Sequence, residues 1–565
     1  MGVISAITPG EFFPLLQRCK PLRGWPRKLA VANSGGPDST CLLHLLRCIL
    51  LQPGTHPELP EILISVTVDH GLQAVSSSMA EHTENLAKSL GVEHLTQKIV
   101  WSQPPFPAKP TEAFESIARD ARYHSIFQAM SSVGANAVAF GHHADDQVET
   151  ALIRLMNGSG VTGAAGMRHC RRWGMGFGNG EGSLGWAGYE GMNRWIVRPL
   201  LGISKSRILA TCEANGLQYV NDPTNFQPEI TLRNAIRQFL TSEYAESNAV
   251  NAASPMKPLS PALAGSAAKI GSATSFLRTY QPSYCAGSDG LRAAVHQLSA
   301  RMDSIEDQVS ENLLRRSVPS PPSTFLFHST RLSSISENSV RLGMVLRTLR
   351  YVSPYPWGSP RAEAHRRSKS LQQIVDKVWN ASLLDAKPFV AGGAVVWAPV
   401  LISNTGRFIM LDQKRGRLNP ELSLGWLASR QAPALKSIAG YNTTPTPLCM
   451  DVTDLLVQRI GKATAPSAQD DFVDVLYDCR FLIRFSTRRI VDLLQIPTTE
   501  TAIPSRVVIE PETRWYLPKI VWKRAGLEDQ VLARLVGWWR KDGVEEPKES
   551  PVEIEIDSIR TIDAL

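Results

Sequence analysis

Along the first 240 residues, short runs of Val, Ile, Leu and Ala alternate with longer stretches whose apolar residues return every three or four positions. KLAVAN, EILISVTV, VEHLTQKIV, NAVAFG and RWIVRPLL have the length and composition of buried strands. Segments 38–51, 77–90, 112–132 and 145–156 between them carry the helical period. Strand and helix in alternation predict an α/β fold with a doubly wound parallel five-stranded sheet. Ligands of such sheets bind beyond the carboxyl ends of the strands, so the strand-to-helix turns are where chemistry is sought.

The pattern is broken twice. RRWGMGFGNGEGSLGWAGYEG is a glycine-rich loop, and NAASPMKPLSPALAGSAAKIGSATS is low in complexity and expected to be disordered. Leu291, Val295, Leu298, Met302, Ile305 and Val309 then follow at alternating steps of four and three, a single apolar stripe along one long helix. PPSTFLFHST reads as a further break, the run around Leu342–Leu349 as a helix, AGGAVVWAPVLIS and RFIMLDQ as a strand pair, and DVLYDCRFLIRF as one strand. The expected division is 1–240 for the sheet domain, 241–325 for a low-complexity linker and long helix, 326–415 for a middle α/β domain, and 416–565 for a basic-aromatic domain. The parts after the sheet are thus helical and α+β.

Composition adds limits. At 565 residues the chain exceeds one core, and its longest apolar run, CLLHLLRCILL, is interrupted by His44 and Arg47 and falls short of a bilayer span. Eight cysteines without a C-x-x-C pair suit neither a zinc ribbon nor a thioredoxin-like motif, and read as reduced thiols of an intracellular protein. A net charge of +8 leans toward a polyanionic partner, although a solvated basic surface accounts for it equally well. Arg18, Lys20, Arg23, Arg27 and Lys28 against Glu11 give a basic N-terminal stretch compatible with mitochondrial import, the alternative being a cytoplasmic protein. The low-complexity segments suggest a eukaryotic, fungal-like source.

The turns carry more. Ser34-Gly35-Gly36-Pro37-Asp38-Ser39 follows the first strand and opens the first helix, where glycines let backbone N–H groups approach an anion and Pro37 suits the first helical turn. The Lys-Ser/Thr of the ordinary phosphate-binding loop is missing, so ATP would be gripped differently. Asp69 and His70 end the second strand. At the end of the fourth, His142-His143-Ala144-Asp145-Asp146 leads into a helix with Val148, Leu152, Leu155 and Met156 on its apolar face. Asp146 and Glu149 are one turn apart and project to the same side, which calls for a cation: Mg²⁺ on a triphosphate or an ammonium substrate. His142 and His143 are either ligands or turn residues.

Seven motifs in order resemble one family, the tRNA(Ile)-lysidine synthases of the PP-loop ATP pyrophosphatases, whose fold is adenine nucleotide alpha hydrolase-like. They are SGGPDS, VDHGLQ, ESIARDARY, HHADDQVET, GSGVTGAAGM, RPLL, and DPTN with TLRNAIR, spanning residues 28 to about 240. Gln73 stands where the family has Arg, Ala164 and Ala165 fall where Leu is usual nearby, and the glycine-rich stretch before RPLL is an insertion.

The resemblance implies that ATP adenylates the C2 carbonyl of the wobble cytidine in an isoleucine tRNA with a CAU anticodon, and that the ε-amine of free L-lysine then displaces AMP. It implies further that Ser34, Gly35, Gly36, Pro37, Asp38 and Ser39 hold ATP, with Asp69, His70 and His142 beside the nucleotide. Asp38, Asp146 and Glu149 join Arg119 and Arg122 as catalytic candidates, and Asp38 and Asp146 are candidate ligands of Mg²⁺. Arg198, Arg233 and Arg237 are candidates for contact with tRNA or phosphate, each with a plain salt bridge as its alternative. A homodimer is compatible with this reading. The competing readings are a PP-loop enzyme of tRNA 2-thiolation, disfavoured by the missing cysteine pair, and a non-catalytic tRNA-binding relative, disfavoured by the presence of all three acids.

Overall fold

The computed structural model describes residues 4–50, 57–72, 75–110, 114–175, 187–220, 232–233, 236–237, 261–280, 287–380, 387–411, 422–433, 448–462, 472–487, 490, 505–537 and 553–562. The chain forms two compact units, one of residues 1–173 with 193–304 and the other of 174–192 with 305–565. In sequence the division falls inside the helix Gly287–Arg316, between Ser304 and Ile305.

The first unit opens with α1 (Pro9–Gln17), started by a capping box between Thr8 and Glu11. Then follow β1 (Lys28–Ala32), α2 (Pro37–Leu50), β2 (Ile62–Asp69), α3 (Ser76–Ser89), β3 (Glu93–Lys98), α4 (Phe114–Val133), β4 (Ala137–Ala139) and α5 (Ala144–Met156). After α6 (Val161–Ala164) come β5 (Cys170–Arg172), β6 (Trp195–Val197) and α7 (Lys205–Ala214). Among the described residues these strands make a six-stranded sheet in the order β3-β2-β1-β4-β6-β5. Five of them are parallel, as the pattern predicts, while β5 is antiparallel to β6 at the edge. That sixth strand, CRR, has no apolar signature, which is why the sequence pattern does not show it.

Winding reverses between β1 and β4. The chain steps outward through β2 and β3, returns, and continues on the other side through β4 and β6. The carboxyl ends of β1 and β4 therefore diverge at a topological switch point, where α/β sheets leave a crevice for ligands. Leu29, Ala30 and Val31 pair with Ala137, Val138 and Ala139 and are fully buried, so both turns spring from rigid strands.

The stretch expected to be disordered is different where it is described. Pro261–Arg278 is a helix, and Ile270, Ala273 and Leu277 pack with Val148, Ala151 and Leu152 of α5 and with Leu291, Val295 and Leu298 of the long helix. Its Ala-rich composition looks simple, yet Ala is the best helix former and 270, 273, 274 and 277 line one face. The remainder of that stretch, and residues 176–186 of the glycine-rich loop, lie outside the described residues.

In the second unit, Val395–Ile402 and Phe408–Met410 form the predicted strand pair, which is antiparallel. The segment read as a break contains the strand Phe325–His328, which joins that sheet through Ser423–Arg430. DVLYDCRFLIRF is a hairpin of Phe472–Tyr477 and Phe481–Ser486, not one strand. Its turn residues Asp478 and Cys479 have φ of +52° and +53°, the geometry of a tight hairpin, without the glycine that would announce it. Among the described residues no helix is long and apolar enough to cross a membrane.

Candidate functional site

The loop after β1 is built around Asn33. Its buried side chain accepts from the N–H of Gly35 and donates to Ser65 Oγ, while its backbone carbonyl accepts from Thr67 Oγ1. Gly35 has φ +76°, and a β-carbon there would meet Thr83 Oγ1 at 2.6 Å, so glycine is required twice over. Ser39 Oγ accepts from the Ser34 N–H and donates to the Gly36 carbonyl. Ser34–Ser39 is thus one closed turn standing at the N-terminus of α2.

Gly141 at the end of β4 lets the second turn lie on the first, with Asp38 and Ser39 backbone atoms where its side chain would be. His143 is the N-cap of α5: its Nδ1 accepts from the Asp145 N–H at 3.2 Å, and its own N–H donates to Asp146 Oδ2 at 3.0 Å. His143 Nε2 faces Asp38 Oδ1 at 3.7 Å and Asp146 Oδ2 at 3.6 Å. Burial works against a charged His143, but Asp145, Asp146 and Asp38 outweigh it and raise its pKa.

Asp146 and Glu149 do share one side of α5, and Arg237 lies across them. Its Nε donates to Glu149 Oε1 at 2.5 Å and its Nη2 to Oε2 at 3.2 Å, with Nη2 3.7 Å from Asp146 Oδ1. Glu149 is 2% exposed, and burial raises its pKa in spite of Arg237. Burial also opposes ionisation of Asp146, but the charge of His143, the His143 N–H and the Arg237 guanidinium lower its pKa. Asp145 is lowered too, burial being overcome by the His143 hydrogen bond and by Arg292.

His142 points away from this cluster. It is stacked on Phe140, and its Nδ1 accepts from Arg198 Nε at 3.2 Å. Burial and the Arg198 charge push its pKa down to about 3, so it is neutral under ordinary conditions. Arg198, a candidate for tRNA or phosphate contact, is itself only 4% exposed and also donates to the Arg168 carbonyl. It acts inward. Phe140 stacks in turn on Tyr123, with the Arg119 guanidinium over that ring at 5.3 Å. Tyr123 feels the charges of Arg198, Arg119, Arg171 and Arg122, which lower its pKa against burial. Arg119 and Arg122 are therefore part of a basic cluster beside the switch point, and Arg233 adds charge felt at His142 and Glu149.

Asp69 and His70 serve their own turn. Asp69 accepts from Ser76 Oγ, Ser77 Oγ and the Gly71 N–H, and His70 Nδ1 accepts from the Leu72 N–H. Both carboxylate oxygens of Asp69 are occupied, which makes it the brace of the loop between β2 and α3. Gln73 and DPTN lie outside the described residues.

Two residues that no sequence signal singled out complete the cluster. Lys205, the first residue of α7, donates from Nζ to Asp38 Oδ1 at 2.5 Å and from its N–H to Asp145 Oδ2 at 2.9 Å. Arg292 of the long helix holds Asp145 Oδ1 from Nε at 2.8 Å and Nη2 at 2.7 Å. Lone basic residues in periodic helices give no hint of such partners, and only the tertiary fold brings them here.

The acids suit a magnesium ion brought by a nucleotide. Asp38 and Asp146 flank one imidazole nitrogen, and Mg²⁺ is commonly held by one or two carboxylates together with phosphate oxygens. Among the described residues there is no cluster of three or more His, Cys, Asp or Glu able to hold a metal by itself.

Residues 16–244 match the PP-loop domain family. A tRNA(Ile)-lysidine synthase of Bradyrhizobium sp. is 36% identical over 218 residues, which are 39% of this chain and 53% of that protein. That of Bradyrhizobium diazoefficiens is 34% identical over 218 residues, 39% of this chain and 52% of its own length. That of Pseudomonas aeruginosa is 35% identical over 227 residues, 40% and 43% of the two chains. The chain thus spans about half the length of these curated relatives. Residues 16–244 are a PP-loop domain, with tRNA(Ile)-lysidine synthases as homologues.

Proposed function

We propose that this protein is an AMP-forming carbon–nitrogen ligase, a tRNA(Ile)-lysidine synthase that modifies the wobble cytidine of an isoleucine tRNA with a CAU anticodon. One observation carries the reading: Asp146 and Glu149 hold a side-chain cation, Arg237, beside a closed phosphate-type loop at the switch point. An acid pair of that kind can take the ammonium of free lysine, and the loop can take the pyrophosphate portion of ATP.

The chemistry follows from the weakness of an amide-like oxygen as a leaving group. The C2 oxygen of cytidine attacks the α phosphorus, the bond between the α phosphorus and the bridging oxygen breaks, and pyrophosphate leaves. The bound ammonium must first give up one proton to attack as a neutral amine, and Glu149, whose burial raises its affinity for a proton, is placed to accept it. A second proton leaves the attacking nitrogen for the departing AMP or solvent as the bond from C2 to oxygen breaks. Mg²⁺, when bound with the nucleotide through Asp38 and Asp146, supplies charge neutralisation of the phosphates. The Arg119–Tyr123–Phe140–His142 ladder lies beside the same turns, where its guanidinium and ring faces suit a phosphate and a base.

The test is to incubate the purified protein with ATP, labelled lysine and CAU-anticodon isoleucine tRNA. Label entering that tRNA, with AMP and pyrophosphate released in equal amounts, supports the proposal. Pyrophosphate release with no lysine incorporated would point instead to another PP-loop tRNA modification.

A further inference from the structure

We propose that Lys205 is a phosphate-binding residue of this site, supplying the cation that the Ser34–Ser39 loop lacks. The inference rests on the nucleotide reading above and adds a residue to it. In an ordinary phosphate-binding loop a lysine is part of the loop itself. Here the loop offers backbone N–H groups, two serine hydroxyls and a carboxylate, Asp38, whose charge repels phosphate unless something cancels it.

Lys205 answers that need from another element. Its ammonium sits on Asp38, and its side chain is 36% exposed, so an entering anion can reach it. Its position is set by two ties. Asp145 Oδ2 accepts its backbone N–H, with Arg292 steadying Asp145 from the opposite oxygen, and Cys212, two turns on along the same face of α7, donates its Sγ–H to the Pro37 carbonyl at the start of α2. A cation at the first position of a helix is electrostatically unfavourable, and the first turn of α7 contains no acid to compensate. α7 gains nothing locally from a lysine there. A residue that violates the preference of its own helix while pointing into the switch-point crevice is placed for the site.

The resting arrangement then has a simple sense. The ammonium neutralises Asp38 while the site is open, and would move to the β and γ phosphate oxygens when the nucleotide enters, so that Asp38 would be free to hold Mg²⁺. Lys205 stabilises the pyrophosphate as the bond to the α phosphorus breaks.

The experiment measures binding of Mg·ATP, inorganic pyrophosphate and AMP to the full chain by calorimetry, without tRNA or lysine. Lys205→Met should weaken ATP and pyrophosphate roughly ten- to a hundredfold, the worth of a charge-assisted contact, and leave AMP within about twofold. Lys205→Arg should restore most of the pyrophosphate affinity. Equal losses for ATP and AMP, or unchanged pyrophosphate affinity, would overturn the proposal and leave Lys205 as a structural partner of Asp38. Lys205→Gln serves in place of Lys205→Met if the latter does not fold. If the unaltered protein binds neither ATP nor pyrophosphate, the nucleotide reading itself fails, an outcome seen without any variant.

Discussion

A β-carbon added to Gly141 would lie 2.9 Å from both the carbonyl carbon and the carbonyl oxygen of Asp38. This contact is backbone against backbone, so no side chain can swing away to relieve it. Gly141 lies just past the strand that delivers the acidic helix, and Asp38 lies in the first turn of α2 after the glycines meant for phosphate, so the closeness of these two residues is what makes one site from two turns. Gly141→Ala should therefore separate the turns by a few tenths of an ångström or more, at a stability cost of ~1–3 kcal/mol typical of overpacking. Because chemistry is sensitive to small misplacement, ATP-dependent pyrophosphate release should fall by more than tenfold, well beyond the change in folded fraction. Thermal unfolding and pyrophosphate release measured together check this. A folded variant with full activity would show that the two turns work separately.

Asp146 and Glu149 should be separable from tRNA binding. Asp146→Asn and Glu149→Gln keep shape and lose charge, which removes a charge-assisted contact of ~1.5–3 kcal/mol to a bound ammonium. The lysine concentration for half-maximal incorporation should rise roughly ten- to a hundredfold, with tRNA affinity nearly unchanged. Loss of turnover at unaltered lysine dependence in Asp146→Asn would assign that acid to metal instead.

How much of this was legible in the chain depends on the range of the interactions. Local patterns sufficed for the five parallel strands and for the pairing of Asp146 with Glu149, because period and one-turn spacing are properties of neighbouring residues. Strand order was not readable, and with it the placing of the β1 and β4 turns side by side. Lys205 and Arg292 were invisible for the same reason, since they reach Asp38 and Asp145 from 167 and 147 residues away. Asp69 has partners that its motif does not announce: two serines seven and eight residues on donate to its oxygens. In the basic-aromatic runs of the second half, rings and charges find partners inside the fold. Trp515, Phe481, Phe485 and Arg480 are buried, Lys519 and Lys523 pair with Glu510, and Arg484 pairs with Asp474. Much of their charge is spent within the fold.

Opposite pKa shifts in one cluster predict a divided response to pH. Glu149 lies above its ordinary value of 4.5 because it is buried. The folded state then keeps a proton that the unfolded state has released, so Glu149 makes stability fall as pH rises from 4.5 through its folded value. Asp145 and Asp146 lie below 3.8, and their contribution is fully present above that pH and lost as pH falls below it. For activity, the charged form of Glu149 is the one that pairs with a cation. The acid limb of kcat/KM for lysine should accordingly break above pH 4.5, and Glu149→Gln should abolish that limb along with most of the rate. An acid limb that survives in the variant would assign it to another group.

The second unit contains its own test, in the hairpin turn the sequence disguised. Asp478, 1% exposed, receives Arg430 Nε at 2.6 Å and Nη2 at 2.9 Å, and Arg480 Nε at 2.7 Å. Arg480 also donates to the carbonyls of Trp515 and Tyr516, which ties the hairpin to a second sheet of the same unit. Asn tolerates the positive φ of 52° at this position, so Asp478→Asn changes the charge with little backbone strain. Two buried guanidinium groups would be left facing an amide that cannot accept from both as an ion does. Breaking a buried ion pair by removing one partner costs ~3–5 kcal/mol. The variant should therefore unfold its second unit at a visibly lower temperature, seen as loss of near-ultraviolet signal from buried Trp397, Trp426 and Tyr477, while ATP binding by the first unit persists. If the second unit grips the tRNA, raising the temperature through that early transition should remove tRNA affinity and spare ATP affinity. Parallel loss of both would show that the PP-loop domain does not hold its site without the second unit, and tRNA affinity that outlasts the transition would place the grip in the first unit.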